Sequence, residues 1–381
     1  MSVSAAVISL CCVTPRHSAG QLSAARFAAE AGGLGPEAAR FAEVIYRRSG
    51  IEHRASCLLE GPTVDGEPLE QSFLTSGVGP RGPTTAARME RYGREAVALG
   101  LEAARGALAG DGRAVTHIVT VSCTGFIAPG IDHALIERLG LPPTVQRLHV
   151  GYMGCHGAIN ALAAARAIVR SEPASRVLVV CVELCSLHFQ AGERPDQIVA
   201  NALFADGAAA MIVAAGAAGR ASMGVVAATG SCVFPDSAGA MAWRVGDHGF
   251  EMTLAESVPR LIGEHLRPWL AGWLDRQGQS LRELVENGAW AVHPGGPRVL
   301  EAVATSLGLS EQAMRASRGV LSQHGNMSSP TVLFILERLQ RDAATAGRPT
   351  VLIAFGPGLS VETALLMPGS PAAASAATTA L

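Results

Sequence analysis

Three residues, far apart along the chain, have the types that acyl transfer without a metal requires. Cys155 lies in Gly-Tyr-Met-Gly-Cys-His-Gly, where a strand-like approach turns into the alanine-rich run AINALAAARAIV. That run is apolar nearly all round, so the helix it forms is expected to be buried. A cysteine at its start feels the positive end of the helix dipole, and a cationic histidine would lower the thiol pKa further. The flanking glycines let backbone approach a substrate closely, and an N–H there can hold an oxyanion. His293 ends the apolar run AWAV before Pro-Gly-Gly-Pro, at a position where α/β folds gather ligands. Asn326 follows Gly325, ahead of Ser328 or Ser329 as a helix cap and Pro330 at the first helical position. Each residue also has a plainer reading: a small side chain at a helix start, a strand-capping histidine, an asparagine chosen for a left-handed turn. Together they fit one scheme. The thiolate takes an acyl group, and loss of CO2 from a malonyl thioester moves negative charge onto the thioester oxygen. Two neutral donors, imidazole and carboxamide, can hold that oxygen, whereas a carboxylate in place of the amide would repel it. The scheme calls for no metal and no redox cofactor.

The elements that must position these groups are legible as runs. Buried strands are predicted at 115–122, 176–183, 208–214, 289–292, 349–355 and 361–367, with a first strand in MSVSAAVISLCC. Helical patterns fall between them at 86–108, 157–170, 254–276, 298–307 and 330–341. Such alternation implies an α/β fold. The Gly-rich turns at 154–157 and 324–330, each opening a small apolar helix, suggest a duplicated architecture. A loop near 215–222 divides 1–218, which carries the cysteine, from 219–367, which carries the histidine and asparagine. The low-complexity tail 368–381 is expected to be disordered.

Composition narrows the function classes. The 381 residues are 49% hydrophobic, 4% aromatic and 16% charged, with net charge −2. No basic stripe of the kind a nucleic-acid binder shows is visible. The N-terminus lacks the basic start and full apolar run of a signal peptide, and no stretch is apolar enough to span a membrane. A cytoplasmic enzyme is therefore expected. Eight cysteines, with no paired CxxC, form neither a disulfide framework nor a zinc site. Most sit in apolar runs and read as small buried hydrophobes.

The motifs VSCTGFIAPGIDHAL, NALFADGAAAMIV, AVHPGGPRVLEAV, GNMSSPTVLFILERL and FGPGLSVETALL resemble the type III polyketide synthases, the chalcone and stilbene synthase family. The resemblance runs from about residue 40 to 367. It implies a thiolase-like α/β fold of five layers, αβαβα, with two related halves, and a homodimer. It also implies acyl-CoA and malonyl-CoA as substrates without a carrier protein, and Cys155, His293 and Asn326 as the catalytic triad. The family's two gating phenylalanines map onto Phe204 and Phe250. Cavity positions map onto Cys123, Cys185 and His188, with Ser328 counted among them. Cys123 and Cys185 stand where the plant pattern has threonines, and the family's GFGPG loop begins here with Ala354. The segment from Asp236 to Phe250 is shorter than in chalcone synthase. These departures look more like bacterial members that make pyrones or naphthalenes. The coenzyme A phosphates are assigned to Arg48 and Arg54 in IYRRSGIEHR, with Arg47 as a spare and Gly295 and Gly296 in the same site. The closest alternative is a β-ketoacyl-acyl-carrier-protein synthase III, with the same three residues and one condensation. A cysteine peptidase lacks its local signature here. A non-catalytic thioester binder would gain no covalent mass from an acyl-CoA.

Overall fold

The computed structural model of the chain describes residues 3–63, 65–74, 81–109, 114–216 and 222–369. The first half comprises β1 (Ala5–Val13), β2 (Ser18–Gly20), α1 (Gln21–Ala31), α2 (Pro36–Arg48), β3 (His53–Ala55), α3 (Thr85–Leu108), β4 (His117–Val121), α4 (Ile131–Leu139), β5 (Gln146–Val150), α5 (Gly157–Ser171), β6 (Arg176–Leu184), α6 (Pro195–Leu203) and β7 (Asp206–Ala215). The second comprises β8 (Gly224–Val233), β9 (Met241–Gly246), β10 (Gly249–Leu254), α7 (Val258–Asp275), α8 (Leu281–Asn287), β11 (Ala289–Val292), α9 (Pro297–Leu307), α10 (Glu311–His324), α11 (Thr331–Arg341), β12 (Thr350–Gly356) and β13 (Ser360–Met367).

Nine strands form the main sheet in the order β11-β12-β13-β8-β1-β7-β6-β4-β5. Outward from its β8–β1 junction the two sides match. β13 and β7 run antiparallel to β8 and β1, and β12 and β6 run antiparallel to those. β11 and β4 then lie parallel to β12 and β6. The sides join through the pairs Ala6–Val225 and Val7–Gly224. This is a thiolase-like α/β fold with two related halves.

Side-chain alternation makes the layers. In β6, Val177, Val179 and Cys181 face a central core, while Leu178, Val180 and Val182 face the outer core under α3 and α4. In β12, Leu352 and Ala354 turn to the centre, and Val351, Ile353 and Phe355 turn toward α7 and α9. The buried helices α5 and α11 fill the middle layer. Each buried valine or leucine contributes about 1.5–3 kcal/mol, and strands buried on both faces need such unbroken runs. Small residues let helices settle onto the sheet. A Cβ on Gly100 of α3 would stand 3.0 Å from Val182, and one on Gly106 would stand 2.2 Å from Cys11.

Strands beyond the ranges predicted are the short pair β2 and β3, the edge strand β5, β8, and the hairpin of β9 and β10. The boundary expected between 218 and 219, and nearly all of the 368–381 tail, lie outside the described residues. Among those described, no helix is long and apolar enough to cross a membrane.

Candidate active site

The N-terminal ends of the two middle-layer helices meet. A Cβ built on Gly157, the first residue of α5, would stand 3.6 Å from Ser329, two residues ahead of α11. Cys155 lies in the short turn Gly154–His156 just before α5 and is 6% exposed. Gly154 holds a φ of +66° there, and a Cβ on it would come 2.7 Å from Pro357, so only glycine fits. The Cys155 thiol lies 4.0 Å from Asn326 Oδ1.

Backbone fixes Asn326 in that place. Its N–H donates to the Leu203 carbonyl at 2.9 Å, and its own carbonyl accepts from Ala205 N–H at 2.8 Å. Its Oδ1 accepts the Ser328 N–H at 2.8 Å, which leaves the NH2 end of the amide to donate. The expected serine cap is corrected. Pro330 occupies the cap position of α11, and Ser328 takes a left-handed φ of +58°. The left-handed residues are thus Gly325 and Ser328, so the turn does not explain Asn326.

His293 directly follows β11, and its N–H donates to the Ile353 carbonyl at 2.8 Å. The neighbouring strand β12 packs against the turn that carries Cys155. The imidazole is 1% exposed and near enough to His156 that a charge on one ring would disfavour a charge on the other. Neither ring nitrogen has a hydrogen-bond partner among the described residues. Buried polar groups are nearly always satisfied, so both ring nitrogens are left to be met by water or substrate.

Burial acts on the thiol and the imidazole in opposite directions. It pushes Cys155 up to about 12 and, with the nearby His156, drives His293 down to about 3. The expectation of a lowered thiol pKa is therefore corrected, because the buried pocket disfavours either charge alone. A proton passing from sulfur to imidazole keeps the pocket neutral overall. His156 is no cation either: burial lowers it, its Nδ1 lies 2.7 Å from Asn160 Oδ1, and its Nε2 lies 2.8 Å from Ser360 Oγ.

These shifts carry a sign for stability. His156, His188 and His293 are all held below the ordinary histidine range, chiefly by burial. Their neutral burial stabilises the fold above about pH 6.5. The contribution is lost as pH falls through that value toward the folded pKa, at no more than about 1.4 kcal/mol per pH unit for each group. The buried carboxyls Glu183 and Asp206 are pushed up and act in the opposite sense. A comparison with His293→Gln isolates one histidine. We expect the wild type's advantage in thermal midpoint to shrink between about pH 7.5 and pH 5. A pH-independent difference would show that His293 is not held neutral.

Sequence reading passes over Glu183, which the fold places behind the cavity-lining Cys123 and Thr124. Fully buried, it accepts from the N–H groups of Cys123 at 3.0 Å and Thr124 at 3.1 Å, and from the hydroxyls of Thr124 and Ser329, both at 2.7 Å. It thereby ties the end of β4 to the residues before α11. The available signal was a lone acid near the end of the apolar strand RVLVVCVEL.

Cys155 opens onto a cavity of about 170 Å³ whose lining includes Cys123, Cys185, His188, Phe204, Phe250 and Ser328, all expected from sequence. Leu58, Leu59, Leu69 and Leu74 make one wall apolar. His188 stacks on Phe250 with centroids 3.9 Å apart. Its Nε2 donates to the Thr124 carbonyl at 2.7 Å, so Nδ1 accepts the Phe250 N–H at 3.1 Å. Burial drives its pKa down to about 4, and this neutral ring in one tautomer is a wall.

The residues expected to hold coenzyme A are placed differently. Arg54 turns inward: its Nη1 donates to the carbonyls of Asn201 and Phe204, both at 2.7 Å, and its guanidinium lies 5.5 Å from the centre of the Tyr46 ring. These bonds occupy Nη1, and the side chain lines the same cavity as Cys155. Arg47 and Arg48 are exposed in the last turn of α2. Gly295 and Gly296 are not in the cavity lining. Gly295 N–H donates to the His293 carbonyl at 3.1 Å, and Gly296 precedes α9 beside Leu203.

Comparison with known proteins bears on this arrangement. The chalcone and stilbene synthase N-terminal domain matches residues 78–217, and the C-terminal domain of the same family matches 225–369. The chain belongs to the chalcone and stilbene synthase family of type III polyketide synthases. As a type III polyketide synthase it is an acyltransferase that uses malonyl-CoA. It is 33% identical to the alpha-pyrone synthesis polyketide synthase-like protein Pks18 of Mycobacterium tuberculosis and of Mycobacterium bovis. That match spans 358 residues, 92% of this chain and 87% of the relative. Among solved structures it is similar to PKS-I of the brown alga Ectocarpus siliculosus, with TM-score 0.86 and 26% identity, covering 97% of this chain and 99% of that one. It is also similar to the C-terminal type III polyketide synthase domain of Steely1 from Dictyostelium. There the TM-score is 0.84 at 26% identity, covering 96% and 99%.

Proposed function

We propose that Cys155 carries the growing acyl chain while His293 and Asn326 serve the decarboxylation of malonyl-CoA. The unpartnered, buried imidazole of His293 carries this reading. The Cys155 proton passes to His293, the thiolate attacks the acyl-CoA carbonyl, and coenzyme A leaves with a proton. The carbon–carbon bond to the malonyl carboxylate then breaks, and its electron pair moves into an enolate. Donors on His293 and Asn326 hold the enolate oxygen. The enolate carbon attacks the Cys155 thioester, and the cysteine thiolate departs. Protein groups and coenzyme A thioesters suffice for these steps, with no separate cofactor.

The leucine wall supports an aliphatic or acetyl/malonyl-derived starter over a bulky phenylpropanoid one. The name of the mycobacterial relatives supports ring closure to a pyrone, ahead of a resorcinol or naphthalene. The exposed apolar side chains Phe126, Leu148, Tyr152 and Met153, at the β4–β5 edge of the sheet, support a homodimer. Eight unpaired cysteines support a reducing, cytoplasmic setting.

The test is incubation of the purified protein with malonyl-CoA and a panel of acyl-CoAs. CO2 release and products longer than one condensation are expected. An absence of turnover across the panel would overturn the reading. Extension from malonyl-carrier protein alone would instead favour the single-condensation synthase. For the dimer, light scattering should give twice the 39.2 kDa chain mass.

A further inference from the structure

We propose that Arg54 is a positioning residue that fastens Phe204 and, through it, Asn326. The inference rests on the catalytic reading above.

Phe204 follows the last residue of α6 and takes its C-cap position. The carbonyls at such an end lack helical partners and carry the negative end of the dipole. Arg54 answers both needs, since one nitrogen of its guanidinium holds the carbonyls of Asn201 and Phe204. The guanidinium carbon lies 5.5 Å from the centre of the buried Tyr46 ring. Among the described residues no carboxylate pairs with Arg54, so its polar partners are these carbonyls and the buried Tyr46 hydroxyl.

The other side of the fastening is Gly325. The stem of Arg54 lies against it so closely that a Cβ there would come 3.1 Å from both Cγ and Cδ. Gly325 takes a φ of +70°, and the next residue is Asn326. Phe204 and Asn326 are then bridged directly as neighbouring extended residues. One side chain therefore touches both segments of the bridge, a carbonyl on one and a glycine on the other. Phe204 lines the cavity, and Asn326 sits 4.0 Å from the thiol. Without Arg54 the Phe204 carbonyl loses its donor, the bridge loses its clamp, and the carboxamide drifts from its place. A misplacement of about 1 Å in a catalytic group costs on the order of 10²-fold in rate.

The experiment compares wild type with Arg54→Met and Arg54→Lys. It reads Cys155 acylation by mass, malonyl-CoA decarboxylation, kcat and KM for malonyl-CoA, and product lengths. Arg54→Met should still acylate Cys155. Its kcat for decarboxylation should fall about 10²-fold with KM changed less than about threefold, and its products should shift in length. Arg54→Lys keeps a charge but not the planar fork, so it should recover part of kcat. A KM raised about tenfold with kcat unchanged would overturn the proposal and return Arg54 to the coenzyme A phosphates. Unchanged kinetics would overturn it as well. If Arg54→Met does not fold, Gly325→Ala disturbs the same fastening from the other side and should give the same loss of kcat. Wild-type protein inert toward malonyl-CoA would sink the catalytic reading itself. Active wild type with an indifferent Arg54 sinks only this inference.

Discussion

Cys155→Ala should give no acyl-enzyme and lower polyketide output by about 10⁶-fold, the order lost when a covalent nucleophile is removed. Intact-mass measurement after exposure to an acyl-CoA checks the first part, and product quantification checks the second. Release of CO2 from malonyl-CoA should persist, because imidazole and carboxamide remain. The cavity supplies an internal control. Cys123 and Cys185 also line it, and burial pushes both thiols well up. Acyl mass on either of them in the alanine variant would mean that the nucleophile has been misassigned.

Asn326→Asp should lower malonyl-CoA decarboxylation by about 10²–10³-fold, the loss typical of removing one oxyanion donor. The change keeps the side chain's shape and its acceptor for Ser328 N–H. It places a carboxylate where an enolate must form. Acylation of Cys155 should suffer far less, since that step does not need the amide to donate. A mass assay for loading beside a CO2 assay separates the two steps. Equal losses in both would indicate damage to the whole pocket.

Much of this was legible in the sequence because it is local. The strand predicted at 289–292 coincides with β11, and the helix read at 157–170 is α5 within one residue. Both are dense apolar runs bounded by glycine or proline. β8, by contrast, reads GVVAATGSCV and buries mainly one face, so its run is diluted by glycine, threonine and serine. It is a strand because β13 pairs along nearly its whole length, a long-range fact. The site shows the same division. Cys155, His293 and Asn326 announce themselves through the turns that hold them. Arg54 does not, because nothing in IYRRSGIEHR says which way a guanidinium will turn. Nor could charge state be read. The expected lowering of the Cys155 thiol pKa fails because pKa follows burial, which no local run of residues reveals.

The sequence separation of 171 between the thiol and its amide also sets an order in time. A ribosome adding about 5–20 residues per second delivers the amide roughly 10–30 s after the thiol. Until then Cys155 is an ordinary cysteine, with nothing to steady a departing carboxylate's electrons. On the proposed roles, chains that end before Asn326 should be inert toward malonyl-CoA. Assembly of the site would then wait on the second half closing against the first.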